Sequence, residues 1–264
     1  MIRKITVLSF ALLLSSLSGN AQAETAFNEA MQRVKTMNAD QTNMAIFHGG
    51  KGTMGNNTGE KDEMPEHQVD LKPFFLDMYE VSNREYNEYL ASAAPPLPEH
   101  NSGENMNAPE QPVVKVNWYD ADGYCRAKGK RLPTEAEFEF ALKELGKELS
   151  NHDDPYINPD DYPQLFNFFG KKDKFTYTAP TTEFSDSSIN GVANLLGNVW
   201  EWTSDWYAPY QQKQRISGGE YKVLRGGSWV NTPSKNYQTF RSYNRPHSKT
   251  EFYGFRCALD SAAQ

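Results

Sequence analysis

Apolar residues recur at helical spacing in the middle third of this chain and lose that spacing afterwards. In EAEFEFALKEL (135–145), Phe138, Ala141, Leu142 and Leu145 fall on one helical face. In WYDADGYCRAK (118–128), Trp118, Ala121 and Cys125 share a face, which turns Cys125 inward. Start and stop signals frame three helices. Ser82 and Glu85 form a capping box before NREYNEYLASA, and Asn117 caps the second helix, which Gly129 ends. Thr134 and Glu137 box the third helix, which is expected to stop at Gly146.

Strand signals surround these helices. MAIFHGG (44–50) reads as a strand ending in glycines. VDLKPFFLDMYEV (69–81) reads as one or two strands, after a loop by composition at 55–67. Two long surface loops follow, one rich in Pro and Asn (94–112) and one acidic (151–164). Beyond residue 165 the pattern is short strands and Gly/Asn turns, including YKVLRGGSW (221–229) and YGFRCAL (253–259). Strand, helices and then irregular β structure make an α+β chain, with no repeat and no linker that would separate two domains.

The N-terminus changes the length that has to fold. Arg3 and Lys4, the apolar run 5–17 and the AQA at 21–23 form the pattern of a secretory signal peptide, too short for a membrane span. Residues 1–23 are therefore read as a signal peptide, 24–43 as an N-terminal arm and 44–262 as the domain, exported to the periplasm or secreted. Cleavage removes two of the 27 basic residues and none of the 34 acidic ones, so the mature chain is more acidic than the net −7 of the whole. That balance does not suit nucleic acid or an anionic membrane surface, and no membrane insertion is expected after cleavage. The two cysteines, Cys125 and Cys257, have one possible pairing in an oxidising compartment; two separate buried thiols are the alternative.

NLLGNVWEW (194–202) poses the sharpest local question. Glu201 between two tryptophans, just after Gly197-Asn198, is either a carboxylate buried in a strand or a metal ligand. The stretch belongs to a series of blocks. GGKGTMGNNTGEKDEMPEHQVDLKPFFLDMYEVSNREYNEYL, PVVKVNWYDADGYCRAKGKRLPTEAEFEFA, GVANLLGNVWEWTSDWY, VLRGGSW and GFRCAL occur in that order. Together they resemble the formylglycine-generating enzymes and their sulfatase-modifying-factor relatives, from about residue 44 to 260. The resemblance implies a single-domain C-type-lectin-like fold with little regular structure and one small twisted antiparallel sheet. It also implies a Cys125–Cys257 disulfide.

The same resemblance implies two structural calcium sites. One would use the side chains of Asn194 and Glu201 with the carbonyls of Gly197 and Val199. The other would use Asn167 and Asp173 with the carbonyls of Phe168 and Phe175. All are hard oxygen donors, which suit calcium. The competing readings are a turn role for Asp173 and an arginine partner for Glu201.

The family's enzymes oxidise a substrate cysteine with copper held by two cysteines just past the RGGSW block. Those positions fall near Asn231 and Asn236 here, and the only two cysteines lie in other blocks. Thiolates hold Cu(I), and asparagine is a poor substitute. The family-type copper site is therefore absent, and formylglycine formation is disfavoured. Catalytic residues and any redox metal stay unassigned. Ser228, Trp229, Asn231, Asn236, Arg241, Tyr243 and His247 are the candidate cleft, with Arg241 and Arg245 available for a carboxylate. The alternative for Trp229, Arg241 and Arg256 is a core role. Two functions follow. The first is a divergent periplasmic oxidoreductase or maturation factor, resembling the pyoverdine-maturation branch, acting on a small peptide-like molecule or a protein. The second is a non-catalytic, calcium-stabilised lectin-like module that binds a peptide, glycan or protein.

Overall fold

A computed structural model describes residues 43–150, 164–170, 173–184, 191–210, 219–232 and 238–261, and of residues 146–150 the backbone alone. The expected signal peptide and arm, most of the acidic loop, and Asn236 lie outside the described residues.

All three helices form where their caps place them. Helix α1 (Asn83–Ala91) starts at Ser82, whose side chain accepts from Glu85 N while the Glu85 carboxylate accepts from Ser82 N. Helix α2 (Trp118–Ala127) starts at Asn117, and Asp120 completes a capping box that the Asn cap alone did not announce. In helix α3 (Glu135–Ser150), Glu137 N donates to Thr134 Oγ1 and Thr134 N donates to Glu137 Oε2. This helix passes through Gly146 to Ser150 rather than stopping. One glycine costs a helix only about 1 kcal/mol, and Lys147, Glu148 and Leu149 are good helix formers. The inward face of α3 is the expected one: Phe138, Ala141, Leu142 and Leu145 are all buried.

The strands divide among three small sheets. The first runs β1 (Met44–Phe47), β4 (Phe74–Asp77), β9 (Ala258–Asp260), and the second pairs β2 (Gly50–Met54) with β3 (His67–Leu71). The third has the order β7 (Ser242–Asn244), β6 (Lys222–Arg225), β5 (Trp200–Trp206), β8 (Tyr253–Gly254). The single antiparallel sheet of the expectation is thus three, and β5 pairs with β8 in parallel. Lys72-Pro73 splits the 69–81 run, so β3 and β4 join different sheets; proline supplies no ladder donor. The glycines after β1 do not end the strand region, because Gly50 opens β2.

One main core joins these parts. Phe47, Phe74, Leu76, Phe138, Leu142, Trp202, Leu224 and Phe255 are buried together. Cys125 and Cys257 are fully buried and form the expected disulfide, which ties α2 to the residue before β9 across 132 positions. Two separate thiols are thereby ruled out.

Candidate functional site

The residues singled out in the two expected calcium loops are brought into contact. Asn167 and Gly197 form an isolated parallel bridge, and Asn198 N donates to Asn167 O at 2.8 Å. Asn194, Gly197 and Asn198 all adopt left-handed backbone, with φ of 57°, 81° and 56°. At Gly197 the requirement is strict, since a Cβ there would lie 2.5 Å from Asn167 O.

Beneath this junction lies a carboxylate that sequence reading did not single out. Glu80 is buried between β4 and α1. Its Oε1 accepts from Asn198 Nδ2 and its Oε2 from Asn194 Nδ2, both at 2.8 Å. Asn198 Oδ1 in turn accepts from Asn167 Nδ2 at 3.0 Å and from Ala179 N at 2.8 Å. Burial lifts the Glu80 carboxyl to about 8, against the pull of Arg256 and the two amides. The signal in the chain was slight: one acidic residue in YEV, just ahead of a capped helix.

The Glu201 of NLLGNVWEW lies in a strand and has an arginine partner. It sits in β5, fully buried, opposite Arg225 in the ladder. Arg256 donates to both its oxygens, each at 2.8 Å, and also to the carbonyl of Ala193. Burial pushes the Glu201 carboxyl up, and Arg256 is the main group opposing it. The arginine partner is therefore real, and Arg256 takes the core role that was its alternative. Each carboxylate oxygen accepts one N–H from Arg256, which leaves lone-pair capacity for a further partner. Asp173 accepts from Phe168 N at 3.1 Å and from Phe175 N at 2.8 Å, so it closes its own loop, and burial raises its pKa.

The buried polar atoms test the metal reading. Among the described residues, four buried side-chain polar atoms lack a hydrogen-bond partner: Asn167 Oδ1, Asn194 Oδ1, Thr178 Oγ1 and Arg225 Nε. Two of these are the side-chain amide oxygens of the two expected calcium sets. A buried acceptor left unmatched costs about 1–3 kcal/mol. A hard cation takes amide, carbonyl and carboxylate oxygens, so the donor set fits calcium. Asn194, Glu201 and the carbonyls of Gly197 and Val199 would hold one ion; Asn167, Asp173 and the carbonyls of Phe168 and Phe175 would hold the other. Such ions would brace loops and supply no reactive group.

The candidate cleft divides. Ser228, Trp229 and Asn231 stay together. Ser228 N and Oγ both donate to Asn231 Oδ1, at 3.0 and 2.8 Å, and Phe169 N donates to Asn231 O. Trp229 meets Tyr177 edge-on at 5.2 Å, and Phe169, Tyr177 and Val230 are exposed beside it. An open depression of about 660 Å³ is lined by Asn101, Asn105, Asn107, Gln111, Phe175 and Thr178.

Arg241, Tyr243 and His247 have other neighbours. Arg241 is buried against Glu135, at 2.6 and 2.9 Å, and donates to the carbonyls of Asp62 and Ala208. It is a framework residue rather than a receptor for a ligand carboxylate, because a buried guanidinium has to be matched by the protein itself. Arg245 is exposed and pairs with Glu220. Tyr243 stacks on Tyr207, and His247 lies 4.8 Å from the ring of Tyr119. Among the described residues no three His, Cys, Asp or Glu side chains are grouped so as to hold a metal ion between them.

A loop-rich α+β domain with several small sheets, three helices and a pair of amide-lined turns is a lectin-like scaffold. More specifically, residues 28–261 match the sulfatase-modifying factor enzyme 1-like domain, and the chain belongs to that family. The chain is 33% identical over 246 residues to the serine/threonine-protein kinase Pkn1 of Chlamydia trachomatis serovar L2, covering 83% of this chain and 38% of that protein. It therefore spans about two fifths of that relative's length. It is 30% identical to the inactive C-alpha-formylglycine-generating enzyme 2 of Mus musculus, covering 86% of this chain and 88% of that one. Among solved structures, PvdO from Pseudomonas aeruginosa shares 25% identity with a TM-score of 0.70, covering 82% of this chain and 94% of that one.

Proposed function

We propose that this chain is an exported, calcium-braced member of the family that recognises a peptide-like ligand and does not oxidise cysteine by the family's copper route. The observation that carries this reading is the occupant of the first copper-thiolate position. Asn231 caps Ser228 and holds Phe169 through its carbonyl, near the exposed Phe169, Tyr177 and Val230 and the half-buried Trp229. Both cysteines of the chain are joined to each other in the core. Aromatic and amide side chains around an open depression suit an extended ligand with hydrogen-bonding groups. The likeness to a relative named as inactive supports the same direction.

A second reading, a divergent oxidoreductase or maturation factor acting on a peptide-like substrate, draws support from the backbone likeness to PvdO over nearly its whole length. It needs an oxidant centre outside the residues discussed above. Elemental analysis of the mature protein with an oxygen-electrode assay on cysteine peptides separates the two. Calcium with no oxygen uptake supports recognition. Stoichiometric copper or iron with oxygen uptake overturns it in favour of the oxidoreductase. Absence of calcium, with no loss of thermal stability in chelator, removes the calcium part.

A further inference from the structure

Asparagine side chains have two faces, and a buried one is useful to a cation only if its oxygen points the right way. The amide group of Asn194 is held by its nitrogen: Nδ2 donates to Glu80 Oε2 at 2.8 Å and to Thr181 O at 3.2 Å. Its oxygen is left buried with no protein partner. Asn167 shows the same arrangement. Its Nδ2 donates to Tyr177 O at 2.8 Å and Asn198 Oδ1 at 3.0 Å, and its oxygen is likewise unmatched. Between the two stands Asn198, whose Oδ1 accepts from Asn167 and whose Nδ2 donates to Glu80 Oε1. Each Glu80 oxygen accepts from one amide nitrogen, so Glu80 sets the orientation of both amides bonded to it. A continuous chain results: Asn167, Asn198, Glu80, Asn194.

We propose that Glu80 is a positioning residue for calcium binding, which fixes the amide groups of Asn194 and Asn198 so that Asn194 Oδ1 and, through Asn198, Asn167 Oδ1 are presented to their ions, and which thereby couples the two loops. The proposal rests on the calcium reading above. Glu80 takes no direct contact with either ion. It belongs to neither loop, and its role is to prevent an amide flip. With Glu80→Gln, one of the two carboxylate oxygens becomes an NH2 group. One neighbouring amide then has to turn its oxygen towards that NH2 group, and this removes the oxygen from an ion or breaks the link to Asn167. Asn198→Ser leaves Glu80 bound to Asn194 and keeps the backbone bond from Asn198 N to Asn167 O, but removes the side-chain link between the loops.

Calcium titration by calorimetry on the mature wild-type protein, Glu80→Gln and Asn198→Ser tests this, with far-UV circular dichroism and melting in chelator to check that each variant folds. Wild type is expected to bind two calcium ions with each strengthening the other. Glu80→Gln is expected to lose about tenfold or more in calcium affinity, since losing a group that orients a metal ligand typically costs ten- to a hundredfold. Asn198→Ser is expected to bind at both loops with reduced mutual strengthening. If wild type binds calcium and folded Glu80→Gln binds it equally well, the positioning role is overturned while the calcium reading stands. If wild type binds no calcium, both fall. Should Glu80→Gln fail to fold, Glu80→Asp, which keeps the charge but shortens the reach, takes its place: a weakened first site supports the proposal, and an unchanged one overturns it.

Discussion

Arg256 and Glu201 lie 55 residues apart, yet they form a fully buried ion pair, with side chains 0% and 1% exposed. Removing one member of such a pair leaves a charge in the core. Arg256→Met is expected to destabilise the fold by about 3–5 kcal/mol, read as a shift in denaturant midpoint. Glu63 makes a different prediction. It is buried, accepts from Thr239 Oγ1 and Glu60 N, and burial raises its pKa above the ordinary 4.5. Between the unfolded and the raised folded value the folded state holds more protons, so stability falls as pH rises through that window. Glu63→Gln keeps the acceptor for Thr239 and has no charge. Thermal melts taken upward from pH 4.5 should show a smaller loss of stability with rising pH than wild type shows. Glu80, Glu63 and Arg225 were not legible as site or network residues. A lone acidic or basic residue in a chain that is 23% charged carries no sign of who will face it.

Elements were far more legible than side-chain partners. Capping boxes are local, within four residues, and all three helices begin where Ser82, Asn117 and Thr134 predict. The end of α3 was missed because a helix's stop depends on whether following residues find partners, which a single glycine does not decide. The turn before β5 was legible in part. Its glycine and asparagines mark left-handed backbone, and the close approach of Asn167 supplies the second constraint. Gly197→Ala combines a strained φ with a clash against Asn167 O. It is expected to cost roughly 1–3 kcal/mol and to weaken calcium binding at both loops, measured by denaturant titration and calorimetry. The break between β3 and β4 was visible as Lys72-Pro73, but the assignment of the two strands to separate sheets was not. Sheet membership is settled by pairing with β2 on one side and with β1 and β9 on the other.

At the scale of the whole molecule, the disulfide and the paired strands close the chain on itself. Cys257 lies beside β9, which pairs with β4 near the start of the domain, and Cys125 lies in α2. A closed loop of 132 residues restricts the unfolded chain strongly. The Cys125→Ala, Cys257→Ala double variant is expected to lose roughly 4–5 kcal/mol, measured by equilibrium unfolding against the oxidised wild type.

By itself the sequence determined what is local or ordered along the chain: the helices through their caps, the α+β class through its changing periodicity, and the family through five blocks in order. Tertiary structure alone decided which charges and amides meet. It gave Arg241 to Glu135, Arg256 to Glu201, and two asparagine nitrogens to Glu80, and it split the candidate cleft in two. The physical reason is that burial forces every polar group to find a partner, and that partner is set by chain crossings tens to hundreds of residues apart.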